Sequence, residues 1–342
     1  MYILGISCYY HDSSATLLKD GKIIAAMDEE RFTRIKHDSS FPINAIDECF
    51  KIARITIDDI KYISFYEKPI LKFERILEQY IYFFPKNFRV FITSMQEWIS
   101  KKLRVQKVIR KKLKFKGDIF YVNHHLSHAA SSFFTSDFEE SAIVIIDGVG
   151  EWATTSIGKG VDKKIDMLKE MHFPHSIGLL YSTITAYLGF RVNNSEYKVM
   201  GLAAYGNSDK KTNKYYKLLR EVVSEKEDGS FRLNLEYFDF THKNKMPSKN
   251  LCKLLGGNIR NEKEELTQRD KDIASALQMI SEELVIKVIN EAYRLTKSEN
   301  LVMAGGVALN SVINSKINSK TNFKNIWIQP SASDSGGSMG AA

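Results

Sequence analysis

Over residues 1–30 the apolar positions fall in short runs, each ending at a polar turn. "YILGISC", "SATLLKD" and "KIIAAMD" read as three strands, joined by "HDSS" and "DGK" into an antiparallel start. "PINAIDECFKIARI" changes to helical spacing, with Pro42 near its first turn. "KYISFYE" predicts a strand. Residues 70–116 keep a helical period broken near Pro85, and "GDIFYVN" predicts a strand that leads into the histidine-rich "HHLSHAASSFF".

A second strand system starts at "SAIVIIDG" and repeats the pattern: a buried apolar strand, a glycine turn, then "EWATTSIGKG" and "DKKIDMLKEM". A long helix is predicted over 270–296, with Ile273, Leu277, Ile280, Leu284 and Val288 on one side. It runs into the buried strand of "NLVMAGGVALN". The last stretch, "IWIQPSASDSGGSMGAA", has small residues of the kind that open a helix, and no helix is predicted to follow. The repetition predicts an α/β protein of two duplicated lobes, residues 1–138 and 139–342.

Composition adds limits. A chain of 342 residues, 44% hydrophobic and 26% charged, has enough apolar surface for two cores. It has no apolar run of about 18 residues, so no membrane span is predicted. The start lacks the basic segment and cleavage site of a signal peptide. Cys8, Cys49 and Cys252 are too few and too scattered for a disulfide framework, and a reducing cytoplasm is expected. The net charge of +8 is uneven: "KKLRVQKVIRKKLKFK", residues 101–116, carries nine Lys or Arg and no acid. Leu103, Val105, Val108, Ile109 and Leu113 give this segment a helical face for burial. Its charges read as a solvated face or as a surface that attracts phosphates or nucleic acid. No aromatic interleaving or nucleic-acid motif accompanies them.

Three of the eight histidines lie in "VNHHLSHAASSFF". Helical positions four apart differ by about 40° around the axis, so His124 and His128 share a face and His125 points elsewhere. Two such imidazoles can grip one metal ion; alternatively they are satisfied core or capping groups. Asp147, at the end of "AIVIID", and Asp334, in "SASDSGG", follow strands and can complete the set. Two His and two Asp suit iron, manganese or zinc.

The glycine turns "DGVGEWATT" and "AGGVALN" can bring phosphates close to backbone N–H groups at Gly148, Gly305 and Gly306. Asn310 lies there too, as a nucleotide contact or a helix cap. Neither turn is a P-loop or a dinucleotide fingerprint. His11 and Asp12 occupy the first hairpin turn, where His11 is either structural or a general base. Arg31, Arg34, Lys36 and His37 form a solvated loop or a positive rim facing an acyl phosphate or adenylate.

Taken together, "ILGISCYYHDSSATLLKDGKIIAAMDEERFTRIKHDSSFP", "NHHLSHAASSFF", "IIDGVGEWATT", "FPHSIGLLYSTITAYLGF", "EYKVMGLAAYG", "MAGGVALN" and "DSGGSMGAA" resemble the carbamoyltransferases of the NodU/CmcH type. The matching stretches keep the family order and span almost the whole chain. The resemblance implies an ASKHA (actin-like) fold with duplicated mixed-sheet lobes. It implies carbamoyl transfer from carbamoyladenylate, made from carbamoyl phosphate and ATP, to a hydroxyl of a sugar, antibiotic or related small molecule. Carried over residue by residue, it makes His124, His128, Asp147 and Asp334 metal ligands, with iron the implied ion. His11 becomes the base and Lys36 a contact to the phosphate or carbamoyl end. Gly148, Gly305, Gly306 and Asn310 line the nucleotide side. A homodimer is compatible with the family. Longer members continue into a YrdC-like domain that makes carbamoyladenylate; this chain is expected to stop before it and to turn over little from carbamoyl phosphate and ATP unaided. The final helix that packs back on the first lobe is expected to be missing, and Tyr197 stands where the family often has Gly. Threonylcarbamoyl transfer to tRNA, a nucleotide-binding module without turnover and a sugar kinase of the same superfold are the rival readings.

Overall fold

Each apolar run of the opening segment forms a strand: β1 (Tyr2–Ser7), β2 (Ser14–Lys19) and β3 (Lys22–Asp28), antiparallel in sequence order. The computed structural model describes residues 1–85, 87–100, 102–243 and 245–342. Helix α1 (Ile43–Ala53) buries Ala45, Ile46 and Cys49 and returns the chain to β4 (Ile60–Phe65), parallel to β1. The helical stretch divides at Pro85 into α2 (Pro69–Tyr82) and α3 (Phe88–Ser100), followed by α4 (Val105–Leu113). Strand β5 (Asp118–Tyr121) then pairs parallel with β4, and the sheet order is β3-β2-β1-β4-β5. The histidine helix α5 (His124–Phe133) follows at once.

The second half repeats this path. Strands β6 (Glu140–Ile146), β7 (Ala153–Val161) and β8 (Lys164–His172) are antiparallel. Helices α6 (Ile177–Tyr187), α7 (Glu196–Ala203) and the long α8 (Gln268–Thr296) come next, with a two-stranded ribbon of Val223–Glu225 and Phe231–Leu233 between α7 and α8. Strand β9 (Asn300–Ala304), the short helix α9 (Ser311–Asn314) and strand β10 (Asn325–Ile328) complete the sheet, and α10 (Gly337–Ala341) ends the chain. The order β8-β7-β6-β9-β10 is that of the first sheet, with the last two strands parallel to β6 and β9 in turn. The predicted duplication is therefore one of topology.

Side-chain alternation along β6 covers both faces of the second sheet. Ala142, Val144 and Ile146 join the core under α6 and α8, whose Ile273, Leu277, Ile280, Leu284 and Val288 are all buried. Each contributes about 1.5–3 kcal/mol by leaving water. Ile143 and Ile145 face the other way and pack on Ala129 and Phe133 of α5. Helix α5 thus leaves the first sheet but packs on the second.

The expectation that no helix follows "SASDSGG" is corrected. Residues Asp334–Gly336 form a 3-10 turn, and α10 follows it back onto the first sheet. Ser14 Oγ donates to the Ser335 carbonyl at 2.6 Å and lies 2.8 Å from Ser338 Oγ, and Ala341 joins the first core. Small residues let this helix sit against both β1 and α5. The basic segment differs in one detail. Val105, Ile109 and Leu113 of α4 are buried as expected, but Leu103 belongs to a separate 3-10 turn and is 36% exposed. The charges of α4 are solvated, and Lys101 lies outside the described residues.

Candidate metal centre

Helix α5 begins at His124 because extended Asn123 caps it, accepting from the Leu126 N–H at 3.4 Å. Its Ala and Ser residues allow burial on all sides, so His124, His125 and His128 are all below 2% exposed. His124 and His128 turn their Nε2 atoms toward each other, 3.2 Å apart. Asp147 ends β6. Its Oδ1 accepts from the N–H groups of Gly148 at 2.8 Å and Gly306 at 3.2 Å. That leaves Oδ2 to face His124 Nε2 at 2.9 Å and His128 Nε2 at 3.3 Å. Asp334, in the turn before α10, brings Oδ1 to 3.4 Å from His128 Nε2 and 3.6 Å from His124 Nε2. One ligand atom from each of the four buried residues lies within 4.8 Å of the others.

This donor set fits a divalent cation. Two imidazole nitrogens and two carboxylates converge on one point, and Asp334 Oδ2 is buried without a hydrogen-bond partner. Burial raises the Asp147 carboxyl, but His124 and His128 outweigh it and hold it well below the usual range. Burial likewise acts against ionised Asp334, and His11, His124 and His128 hold it low. Burial draws His128 down, while Asp147 and Asp334 together push it up to about 9. His125 is different: its Nδ1 is 2.6 Å from Ser156 Oγ, and burial with the neighbouring His124 lowers it to about 3. It points away from the face that His124 and His128 share, as its helical position predicts.

His11 is brought to the same place from the first hairpin. Its Nε2 is 3.7 Å from Asp334 Oδ2, and its Nδ1 is 3.0 Å from Asp12 Oδ2. Asp12 also faces His37 Nδ1 at 2.5 Å. Burial lowers His11, but Asp334, Asp12 and Asp147 push it up to about 9. Sequence reading found His11 but not the dyad; the adjacent carboxylate in "HDSS" was the available signal.

A cavity of about 220 Å³ opens from this centre. Tyr10, His11, Asp12 and His37 of the first half line it, together with Asp147, Gly148, Tyr181, Glu196, Tyr197, Met200, Gly306 and Asn310 of the second. Asn310 serves two purposes: it caps α9 by accepting from the Ile313 N–H at 3.1 Å, and it lines the cavity. Lys36 is outside the lining. It is exposed, with Nζ 4.7 Å over the Tyr197 ring, and bridges the cavity rim. Gly305 does not line the cavity either; it shapes the turn that carries Gly306. Its φ is +89°, and a Cβ there would lie 2.4 Å from the Ile146 carbonyl oxygen. Gly305→Ala is expected to destabilise the protein by about 2 kcal/mol or more, read as a lower urea midpoint at unchanged slope.

Near the same hairpin, burial and the charges of Asp12 and Glu30 push Asp28 up to about 6, against the pull of Arg31. A carboxyl with a raised folded pKa binds its proton more tightly when folded. It opposes folding progressively as pH rises from about 4 to 6, and fully above that. Asp28→Asn is therefore expected to raise stability at pH 7.5 by about 1 kcal/mol after allowance for solvent screening, with no gain near pH 4. Urea denaturation at the two pH values checks this; an equal gain at both would show that charge is not the cause.

Two five-stranded sheets of one strand order define a two-lobed α/β protein, with a His₂Asp₂ cluster and a cavity lined by residues of both halves. The chain belongs to the carbamoyltransferase family: residues 2–342 match the family described as Carbamoyltransferase N-terminus. It is 48% identical over 350 residues to the uncharacterized protein sll1178 of Synechocystis sp., covering 100% of this chain and 56% of that protein. It is 32% identical over 343 residues to the nodulation protein NolNO of Sinorhizobium fredii, covering 98% of this chain and 46% of that one. The chain thus spans about half the length of the curated relatives it matches. Among solved structures, component A of the (R)-2-hydroxyglutaryl-CoA dehydratase of Acidaminococcus fermentans is 16% identical with a TM-score of 0.49, covering 100% of this chain and 96% of that one. Among the described residues, no helix is long and apolar enough to cross a membrane.

Proposed function

We propose that this chain carries out the transfer step of an O-carbamoyltransferase. The donor is carbamoyladenylate, made from carbamoyl phosphate and ATP, and the acceptor is a hydroxyl of a sugar, antibiotic or related small molecule. The observation that carries the reading is the convergence of His124, His128, Asp147 and Asp334, with His11 beside them and Asp147 and His11 lining the cavity. Those four residues would hold a divalent cation, iron by the family resemblance, which when bound supplies Lewis acidity toward the carbamoyl or phosphate oxygens.

The chain's own groups account for the rest. Asp12 orients His11 through Nδ1, so that Nε2 is the atom that takes the acceptor's proton. With the two aspartates neutralised by a bound cation, the field that holds His11 protonated is offset. The acceptor oxygen then bonds to the carbamoyl carbon, the bond from that carbon to the phosphate oxygen breaks, and AMP leaves. Gly148 and Gly306 line the cavity where the nucleotide is proposed to sit, their N–H groups holding Asp147 in place, and Lys36 beside Tyr197 adds positive charge toward the phosphate. Tyr181, Tyr197 and Met200 give that side an apolar wall that excludes water.

The test supplies synthetic carbamoyladenylate to metal-loaded protein with a panel of hydroxylated acceptors. The expected result is acceptor-dependent AMP release and a product heavier by one carbamoyl group. AMP release by hydrolysis alone, with every acceptor, would remove the reading. The solvated charges of α4 favour one alternative, threonylcarbamoyl transfer to tRNA. A gel shift with bulk tRNA at physiological salt separates the two, and the small-molecule reading expects none. The family resemblance makes a YrdC-like domain the proposed partner, and a second copy of the chain another. The cytoplasm is the proposed location.

A further inference from the structure

We infer that Glu151 is a positioning residue for the metal centre, a role that rests on the metal reading of the four ligands. Glu151 is 3% exposed and lies on the β6–β7 turn, four residues after Asp147. Its Oε1 accepts from the Lys68 N–H at 2.7 Å and the His124 N–H at 3.0 Å, and Oε2 lies 3.1 Å from the same His124 nitrogen. The first N–H groups of a helix have no partner within it, and an anion there also meets the positive end of the helix dipole. One carboxylate therefore fastens the start of α5 to a turn of the second sheet.

The consequence is geometric. His124 is the first residue of α5, so holding its N–H fixes the Cα from which its imidazole projects. The same turn carries Asp147, so the separation of two ligands is set through a few covalently linked residues. The Lys68 contact adds the residue that precedes α2, tying both connections that leave the ends of β4 and β5. Contact between turn and helix is close elsewhere too. A Cβ on Gly150 would lie 3.0 Å from His124 Cδ2 and 3.2 Å from its Cβ. The glycine thus leaves room for the ligand ring while Glu151 holds its backbone. Glu151 is outside both the four-residue ligand cluster and the cavity lining.

Cobalt(II) serves as the probe, because its visible absorption reports ligand geometry independently of turnover. The chain, Glu151→Ala, Glu151→Gln and Gly150→Ala are titrated, with thermal melts in parallel. The unchanged chain is expected to bind about one cobalt ion. Glu151→Ala is expected to bind it about 10- to 100-fold more weakly, with a shifted absorption band, as for loss of other groups that orient metal ligands. Glu151→Gln keeps one acceptor oxygen for His124 and is expected to lose only about a third as much on a logarithmic scale. Gly150→Ala displaces the ring and is expected to shift the band even where its melt is normal. If Glu151→Ala fails to fold, Glu151→Gln and Gly150→Ala carry the test. Variants that melt lower but keep the parent affinity and spectrum would overturn the inference, since Glu151 would then be structural only. No cobalt binding by the unchanged chain would remove the metal reading, and this inference with it.

Discussion

Purified without chelator, the His128→Ala variant is expected to lose its metal: the parent should carry about one divalent ion per chain, the variant less than about a tenth of that. His128 Nε2 faces both carboxylates, and its removal leaves His124 as the remaining nitrogen donor of the cluster. Two buried aspartates would then face one imidazole, and a cation on three ligands would compete with protons for the carboxylates. Carbamoyl transfer is expected to fall by about 10³-fold or more, as for loss of a stabilising charge at the reacting centre. His125→Ala is the matched control. It removes an equally buried imidazole one turn position away, but that ring bonds Ser156 rather than the aspartates, and metal content should stay at the parent level. Elemental analysis of the three proteins decides the matter. Full metal in His128→Ala would mean that the convergence of these four side chains has another purpose.

His11→Ala is expected to separate chemistry from binding. Transfer should fall by about 10²- to 10⁴-fold, while a non-hydrolysable carbamoyladenylate analogue binds within about threefold of the parent affinity. The reason is position: His11 Nε2 lies 3.7 Å from Asp334 Oδ2, at the ligand cluster. Asp12→Asn keeps the shape of the turn but loses the charge that orients His11 Nδ1, and is expected to cost less than removal of the ring. Calorimetric titration and single-turnover rates on the same preparations supply both numbers. An unchanged transfer rate in His11→Ala would take this residue out of the mechanism.

Much of the fold was legible from periodicity. Both strand triplets, the long helix α8 and the break at Pro85 stand where alternation and helical spacing put them. His124 and His128 were legible as a pair because their spacing alone sets them on one helix face. The final helix was missed, because its run of Gly, Ser and Ala has no apolar stripe. Those small residues are a sign of close approach: α10 lies against both β1 and α5. Glu151 was missed for a related reason. Nothing local marks a turn carboxylate whose partners are the backbone N–H groups of Lys68 and His124. Lys36, carried over from the resemblance, stands at the rim against Tyr197, the position where the chain departs from the family pattern.

By itself the amino-acid sequence determined the two strand triplets, the long helix α8 and the shared helix face of His124 and His128. These depend on spacing within a few residues, and 3.6 residues per turn or alternation along a strand decides them. Only the tertiary structure decided that His11, Asp147 and Asp334 reach the histidine pair, that Asp12 turns His11 toward it, and that Glu151 grips the helix carrying it. Those contacts join residues far apart along the chain. They exist because two sheets with the same strand order bring their strand ends together, and because α5 and α10 each leave one sheet to pack on the other.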